Sequence, residues 1–203
     1  MQVAVKYPSV LLAHAQRGDC VQQLARDLSV QIAAILSVRA RASLLLPGGS
    51  SPQQLLPLLA AEPLEWARVD VSPTDERWVA ADAEQSNWRL LQQGLPAAAC
   101  LDPRQADSAQ ASASLWADQL QARMPFAAVL LGMGEDGHIA SLFPGMPGLA
   151  PALDLQAVPG ALCAQAPSEP RQRLSLNLAL LLQTQWLGLL AFGQSKKQLI
   201  DAV

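Results

Sequence analysis

Phe126-Ala127-Ala128-Val129-Leu130-Leu131 runs directly into Gly132-Met133-Gly134-Glu135-Asp136-Gly137-His138, and this junction decides how the chain is read. The apolar run reads as a strand. The loop after it holds three glycines, two acids and one of only two histidines in the chain. Glycine has no Cβ, so a ligand can approach such a backbone closely. A histidine there places a group suited to proton transfer at neutral pH beside that ligand. The segment continues Ile139-Ala140-Ser141-Leu142-Phe143-Pro144-Gly145.

Working outward, Ala42 to Leu46 reads as a second buried strand, and Val3-Ala4-Val5 as a short first one. Asp19 to Val38 has apolar residues at helical spacing. Gly48-Gly49-Ser50-Ser51-Pro52 opens another helix, with Ser51 as N-cap and Pro52 as first helical residue. Trp66 to Val71 is expected as a strand and Ser72 to Val79 as a loop. Helices are expected over Ser86 to Gln93 and Ala106 to Met124. Pro144 to Pro170 reads as irregular, with Leu155 to Val158 extended. Arg173 to Asn177 and Trp186 to Phe192 read as strands, Leu178 to Gln183 as a helix, and Ser195 begins a last one. Alternating strands and helices predict an α/β fold: Rossmann-like, doubly wound, a mainly parallel sheet with helices on both faces. Ligands of such sheets bind beyond the carboxyl ends of the strands, where these loops lie.

Composition agrees. The 203 residues are 51% hydrophobic and 15% charged, which suits one folded domain over residues 1–203 and excludes a disordered chain. A net charge of −3, without a basic run, argues against nucleic acid or an anionic membrane as partner. No apolar stretch approaches the ~18 residues of a membrane span. Met1 to Ser9 lacks a signal-peptide pattern, so a cytoplasmic protein is expected. Three widely spaced cysteines form neither a CxxC nor a disulfide framework.

Four constellations could carry chemistry. Gly48, Gly49, Ser50 and Ser51 at a helix start offer amides and hydroxyls to an anion, although alone they also read as an ordinary turn. Asp75-Glu76-Arg77, with Ser86-Asn87 downstream, would set Asp75 toward the site and supply the fork of Arg77 to a phosphate or carboxylate. Asp136 and His138, one glycine apart, could face one cleft. Arg173 in Arg173-Leu174-Ser175-Leu176 and Lys196 in Gly193-Gln194-Ser195-Lys196 place cations near strand ends, with Lys196 preferred to Lys197 by its spacing from Gly193. No metal site is expected, because His14 is distant in sequence and no ligand spacing is present. Gly132 to Gly137 is formally GxGxxG, but no long helix opens at its end, so a dinucleotide is not implied.

In this order and at this spacing, the segments resemble the 6-phosphogluconolactonase family. The shared pattern runs from a Gly-Gly-Ser/Thr loop through Asp-Glu-Arg and Ser-Asn to Gly-x-Gly-x-Asp-Gly-His-x-Ala-Ser-Leu-Phe-Pro, then Arg-x-Ser/Thr-Leu and Gly-x-x-Lys. Pro47 stands where the family commonly has serine. The chain also ends a few residues after Lys196, where family members usually continue through a further strand and helix. The related glucosamine-6-phosphate deaminases continue after the histidine as Ile-Ala-Phe-Asn-Glu-Pro, whereas this chain has Ile139-Ala140-Ser141-Leu142-Phe143-Pro144.

The resemblance implies hydrolysis of 6-phosphoglucono-1,5-lactone, the second step of the oxidative pentose phosphate pathway. It implies no metal or organic cofactor and a sugar-phosphate lactone as the small-molecule partner of a monomer or weak homo-oligomer. His138 is expected as base and then acid, with Asp136 orienting it and Asp75 and Arg77 completing the catalytic set. Gly48, Gly49, Ser50, Ser51, Arg173 and Lys196 are expected to bind substrate. A sugar-phosphate deaminase or isomerase and a non-catalytic sugar-phosphate sensor are the alternatives.

Overall fold

The computed structural model describes residue 10 and residues 12–202, so the strand expected at Val3-Ala4-Val5 lies outside the described residues. Helix α1 (Arg17–Leu36) buries Val21, Ala25, Leu28, Ile32 and Ile35, the stripe its periodicity foretold. Strand β1 (Ala42–Leu46) is buried at every position. Helix α2 (Ser50–Ala60) follows, then a 3-10 turn at Trp66–Arg68 and strand β2 (Val69–Pro73). Next come β3 (Asp75–Arg77), α3 (Asn87–Gly94), β4 (Ala99–Cys100) and α4 (Ala109–Gln121). The second half holds β5 (Ala128–Gly132), α5 (Leu149–Leu153), β6 (Ala161–Gln165), β7 (Gln172–Leu176), α6 (Leu178–Leu181), β8 (Leu187–Leu190) and α7 (Gln194–Asp201).

Five strands form a parallel sheet in the order β4-β2-β1-β5-β8. Its two faces are covered separately. Leu44 and Leu46 of β1 pack with Leu28 and Ile32 of α1 and Leu55 and Leu59 of α2. Leu45 packs on the other face with Trp116 and Leu120 of α4 and with Leu174 and Leu176 of β7. Each leucine so buried contributes about 1.5–3 kcal/mol. The doubly wound parallel sheet is therefore as read. Among the described residues, no helix is long and apolar enough to cross a membrane.

A second sheet, β3-β7-β6, is antiparallel and was not foreseen. Its first strand falls inside the loop expected over Ser72 to Val79. Three adjacent charged residues gave no apolar alternation, yet Asp75 and Arg77 share one face and Glu76 takes the other. Strand β6 falls in the segment read as irregular. Leu155 to Val158, expected as extended, is a turn, because Asp154 accepts the N–H of Gln156 on its side chain and that of Ala157 on its carbonyl.

Other boundaries shift for local reasons. Trp66–Arg68 is a 3-10 turn rather than strand, and its Arg68 reaches back to cap the end of α1 on the carbonyls of Leu36 and Arg39. Helix α4 starts at Ala109 rather than Ala106, because Ser108 caps it and Ser112 Oγ ties down the amides of Gln105 and Ala106.

Candidate active site

The chain runs from β1 outward to β2 and β4, then returns to place β5 on the other side of β1. The connections leaving β1 and β5 therefore part at a topological switch point, where open α/β sheets bind ligands. The first is Pro47-Gly48-Gly49. A Cβ on Gly48 would come within 1.8 Å of Asn87 Oδ1, so only glycine fits. Gly49 holds φ +99 and is itself the N-cap of α2. This corrects the cap expected at Ser51: helix begins at Ser50, and no side chain caps it. The first turn of α2, with Ser50 and Ser51, lines the cleft instead, a suitable geometry for an anion.

Strand β3 forms the next wall. Asp75 and Arg77 line the cleft, while Glu76 points away and is fully buried. The Glu76 carboxylate accepts the amides of Arg77 (2.7 Å), Asn87 (2.8 Å) and Trp88 (2.7 Å), and Arg104 lies 3.2 Å away. Burial nevertheless pushes this carboxyl above its ordinary range, against those donors. Its function is structural: it joins β3 to the first turn of α3. That turn carries Asn87, whose Nδ2 donates to the carbonyl of Asp75 at 2.8 Å.

The loop after β5 supplies the imidazole. His138 Nδ1 lies 2.5 Å from Asp136 Oδ1, and the His138 amide donates to the same oxygen at 3.3 Å. Burial opposes the charge on Asp136, but these hydrogen bonds and the imidazole charge outweigh it, so its carboxyl sits below the ordinary range. The ring also packs against Phe143, with centroids 4.4 Å apart.

Two cations, Arg77 and Lys196, line the cleft with this centre. Lys196, in the first turn of α7, lines the cleft with its Nζ 3.4 Å from Glu135 Oε1. Glu135 also accepts from Ser195 Oγ, and these two contacts hold its carboxyl low. Lys197 points elsewhere and pairs with Asp201. Arg173 is the register partner of Arg77 across β3 and β7. It is 7% exposed, does not line the cleft, and its Nε has no partner among the described residues. Burial first, then the neighbouring Arg77 charge, lowers its pKa.

The structure thus gathers Gly48, Gly49, Ser50, Ser51, Asp75, Arg77, His138 and Lys196 around one open cleft of about 210 Å³. Asp136 pairs with His138 from outside the lining, and Arg173 lies beside Arg77 on the neighbouring strand. Sequence reading gave no role to Asn87, although it was quoted in the pattern, nor to Glu76 or Glu135. The cue for Glu76 is its place between two residues that share the opposite face of the strand. Among the described residues, no group of three or more His, Cys, Asp or Glu side chains could hold a metal ion.

Comparison with known proteins bears on this arrangement. The family described as glucosamine-6-phosphate isomerases/6-phosphogluconolactonase matches residues 15–203. A 6-phosphogluconolactonase of Pseudomonas putida is 39% identical over 201 residues, 95% of this chain and 83% of that protein. One from Pseudomonas aeruginosa is 38% identical over 195 residues, 91% of this chain and 82% of that protein. The crystal structure of a 6-phosphogluconolactonase from Shewanella baltica superposes with a TM-score of 0.85 at 32% identity, covering 93% of this chain and 83% of that one.

Proposed function

The chain belongs to the glucosamine-6-phosphate isomerase/6-phosphogluconolactonase family, and from that premise we propose that its cleft hydrolyses 6-phosphoglucono-1,5-lactone to 6-phosphogluconate. The observation that carries this reading is the His138–Asp136 pair beside a cleft that the first turn of α2, Arg77 and Lys196 also line.

The roles follow from the geometry. An ionised Asp136 can only accept, so the shared proton belongs to His138 Nδ1 and the lone pair to Nε2. Nε2 takes a proton from water as the water oxygen attacks the lactone carbonyl. The developing oxyanion is stabilised by Arg77 or by amides of the glycine loop. Collapse of the tetrahedral intermediate breaks the bond to the ring oxygen, which takes the proton back from Nε2. The phosphate is held by the first turn of α2 and by Lys196, which fixes the ester beside His138. Arg173 supports this binding through its charge, held beside Arg77 on the neighbouring strand.

The deaminase alternative is disfavoured by the residues after His138, which lack the acid of the Ile-Ala-Phe-Asn-Glu-Pro form. A non-catalytic sensor would have no need of a complete His138–Asp136 pair. The test is turnover of two substrates by the same preparation. The lactone is hydrolysed faster than its spontaneous rate, and glucosamine 6-phosphate releases no ammonia. The reverse pattern would replace this reading with the deaminase.

A further inference from the structure

Ser141 lies three residues beyond His138, is fully buried, and has no role in the mechanism above. Its Oγ donates to Asp75 Oδ2 at 2.6 Å, and its amide donates to Ser175 Oγ at 3.1 Å. Asp75 and Ser175 are themselves register partners on β3 and β7. One residue of the His138 loop therefore grips both members of a cross-strand pair in the small sheet. The residue before it, Ala140, has φ +48, the left-handed region that a non-glycine residue keeps only where its surroundings fix it. The double hydrogen bond of Ser141 is such a surrounding.

Asp75 is the only carboxylate lining the cleft among the described residues. The charged side chains that share the lining, Arg77 and Lys196, are donors. An ionised carboxylate offers about four acceptor positions, and Ser141 with the longer contact from Asn87 (3.5 Å) occupies two of them. A sugar ring presents hydroxyl donors, and among the charged groups of the lining only Asp75 can accept them. Proton transfer is already assigned to His138, which leaves Asp75 free for recognition.

We propose that Ser141 is a positioning residue that fixes Asp75 as the cleft's acceptor for a ring hydroxyl, so that the pair selects a hydroxylated sugar ring. The proposal rests on the sugar-phosphate reading of the cleft. It makes the serine of the loop motif part of substrate selection, acting through Asp75 and not by touching substrate.

The test is a double-mutant cycle on kcat/KM for the lactone, using wild type, Ser141→Ala, Asp75→Asn and the double variant. Ser141→Ala alone should lose roughly 10- to 100-fold, the scale of a hydrogen bond to a charged group. In the Asp75→Asn background it should lose less than about twofold. An equal loss in both backgrounds is what a merely structural serine would give, and would overturn the proposal. Should Ser141→Ala not fold, as its melting curve would show, Ser141→Cys keeps the shape with a weaker donor and completes the cycle. Absence of wild-type turnover would refute the lactonase reading instead. The same cycle would then be read in the Kd of 6-phosphogluconate by calorimetry, with the same two outcomes.

Discussion

Gly134 lies so close to the His138 ring that a Cβ there would come within 2.2 Å of Cε1 and 2.3 Å of Nδ1. The Gly134 amide also donates to the His138 carbonyl at 2.9 Å, closing the loop on itself. The glycine thus sets the floor on which the imidazole rests. Gly134→Ala should displace the ring from Asp136 and lower kcat by about 10²-fold, the effect of an ångström-scale misplacement. Steady-state kinetics beside a melting curve would check this; a folded variant with unchanged kcat would contradict it.

Asp136→Asn separates orientation from proton transfer. An amide carries no charge and can also present an NH₂ donor to Nδ1, which favours the wrong tautomer, so kcat should fall roughly 10- to 10³-fold, with a smaller change in KM. The pH dependence has a definite sign. The carboxyl is depressed in the folded protein, so the stability it contributes is present above the ordinary aspartate range and lost as pH falls through the lowered value. Melting temperatures of wild type and Asp136→Asn should converge on the acid side.

Lys196 and Glu135 should act in opposite directions on binding. Lys196→Ala removes a cation from the cleft and should raise KM more than it lowers kcat. Glu135→Gln frees Lys196 from its counter-charge and should lower KM a few-fold, an effect that fades with added salt. Initial rates at two ionic strengths measure both.

Glu76 links the site to its scaffold. All its hydrogen-bond and ion-pair partners are donors. Glu76→Gln would set an NH₂ group against some of them and should destabilise the protein by about 1–3 kcal/mol. Because burial raises the folded carboxyl, the native state retains a proton that the unfolded chain releases between the ordinary and the raised value. Stability from this group therefore falls as pH rises through that interval. Urea titrations across mildly acidic pH should show the slope in wild type and its loss in Glu76→Gln.

Much of the fold could be read in the chain itself. Ala42–Leu46 was read to the residue, because its mainly apolar run between Arg41 and Pro47 is satisfied by burial on both faces. The 20-residue α1 was read within two residues at each end from its stripe. The small sheet was hidden because β3 has three charged residues and pairs with a strand about a hundred positions away. The cleft's glycines, His138 and Lys196 were visible as motifs. What joins them was not. The Ser141–Asp75 bond spans 66 positions and the Ser195–Glu135 bond 60, and no local pattern records such a meeting. Arg173 was read as a substrate-binding cation near a strand end; it is buried beside Arg77 and is not part of the cleft lining, a placement set by the pairing of β3 with β7 that no local pattern records.

In the proposed hydrolysis, everything depends on His138 moving the proton. The most direct measurement follows freshly generated 6-phosphogluconolactone, coupled to 6-phosphogluconate dehydrogenase, with the spontaneous rate subtracted and His138→Ala run beside wild type. Wild type should accelerate hydrolysis and His138→Ala should lose roughly 10²–10⁴ of that rate. A folded His138→Ala protein within about threefold of wild type in both kcat and kcat/KM would remove His138 from that role.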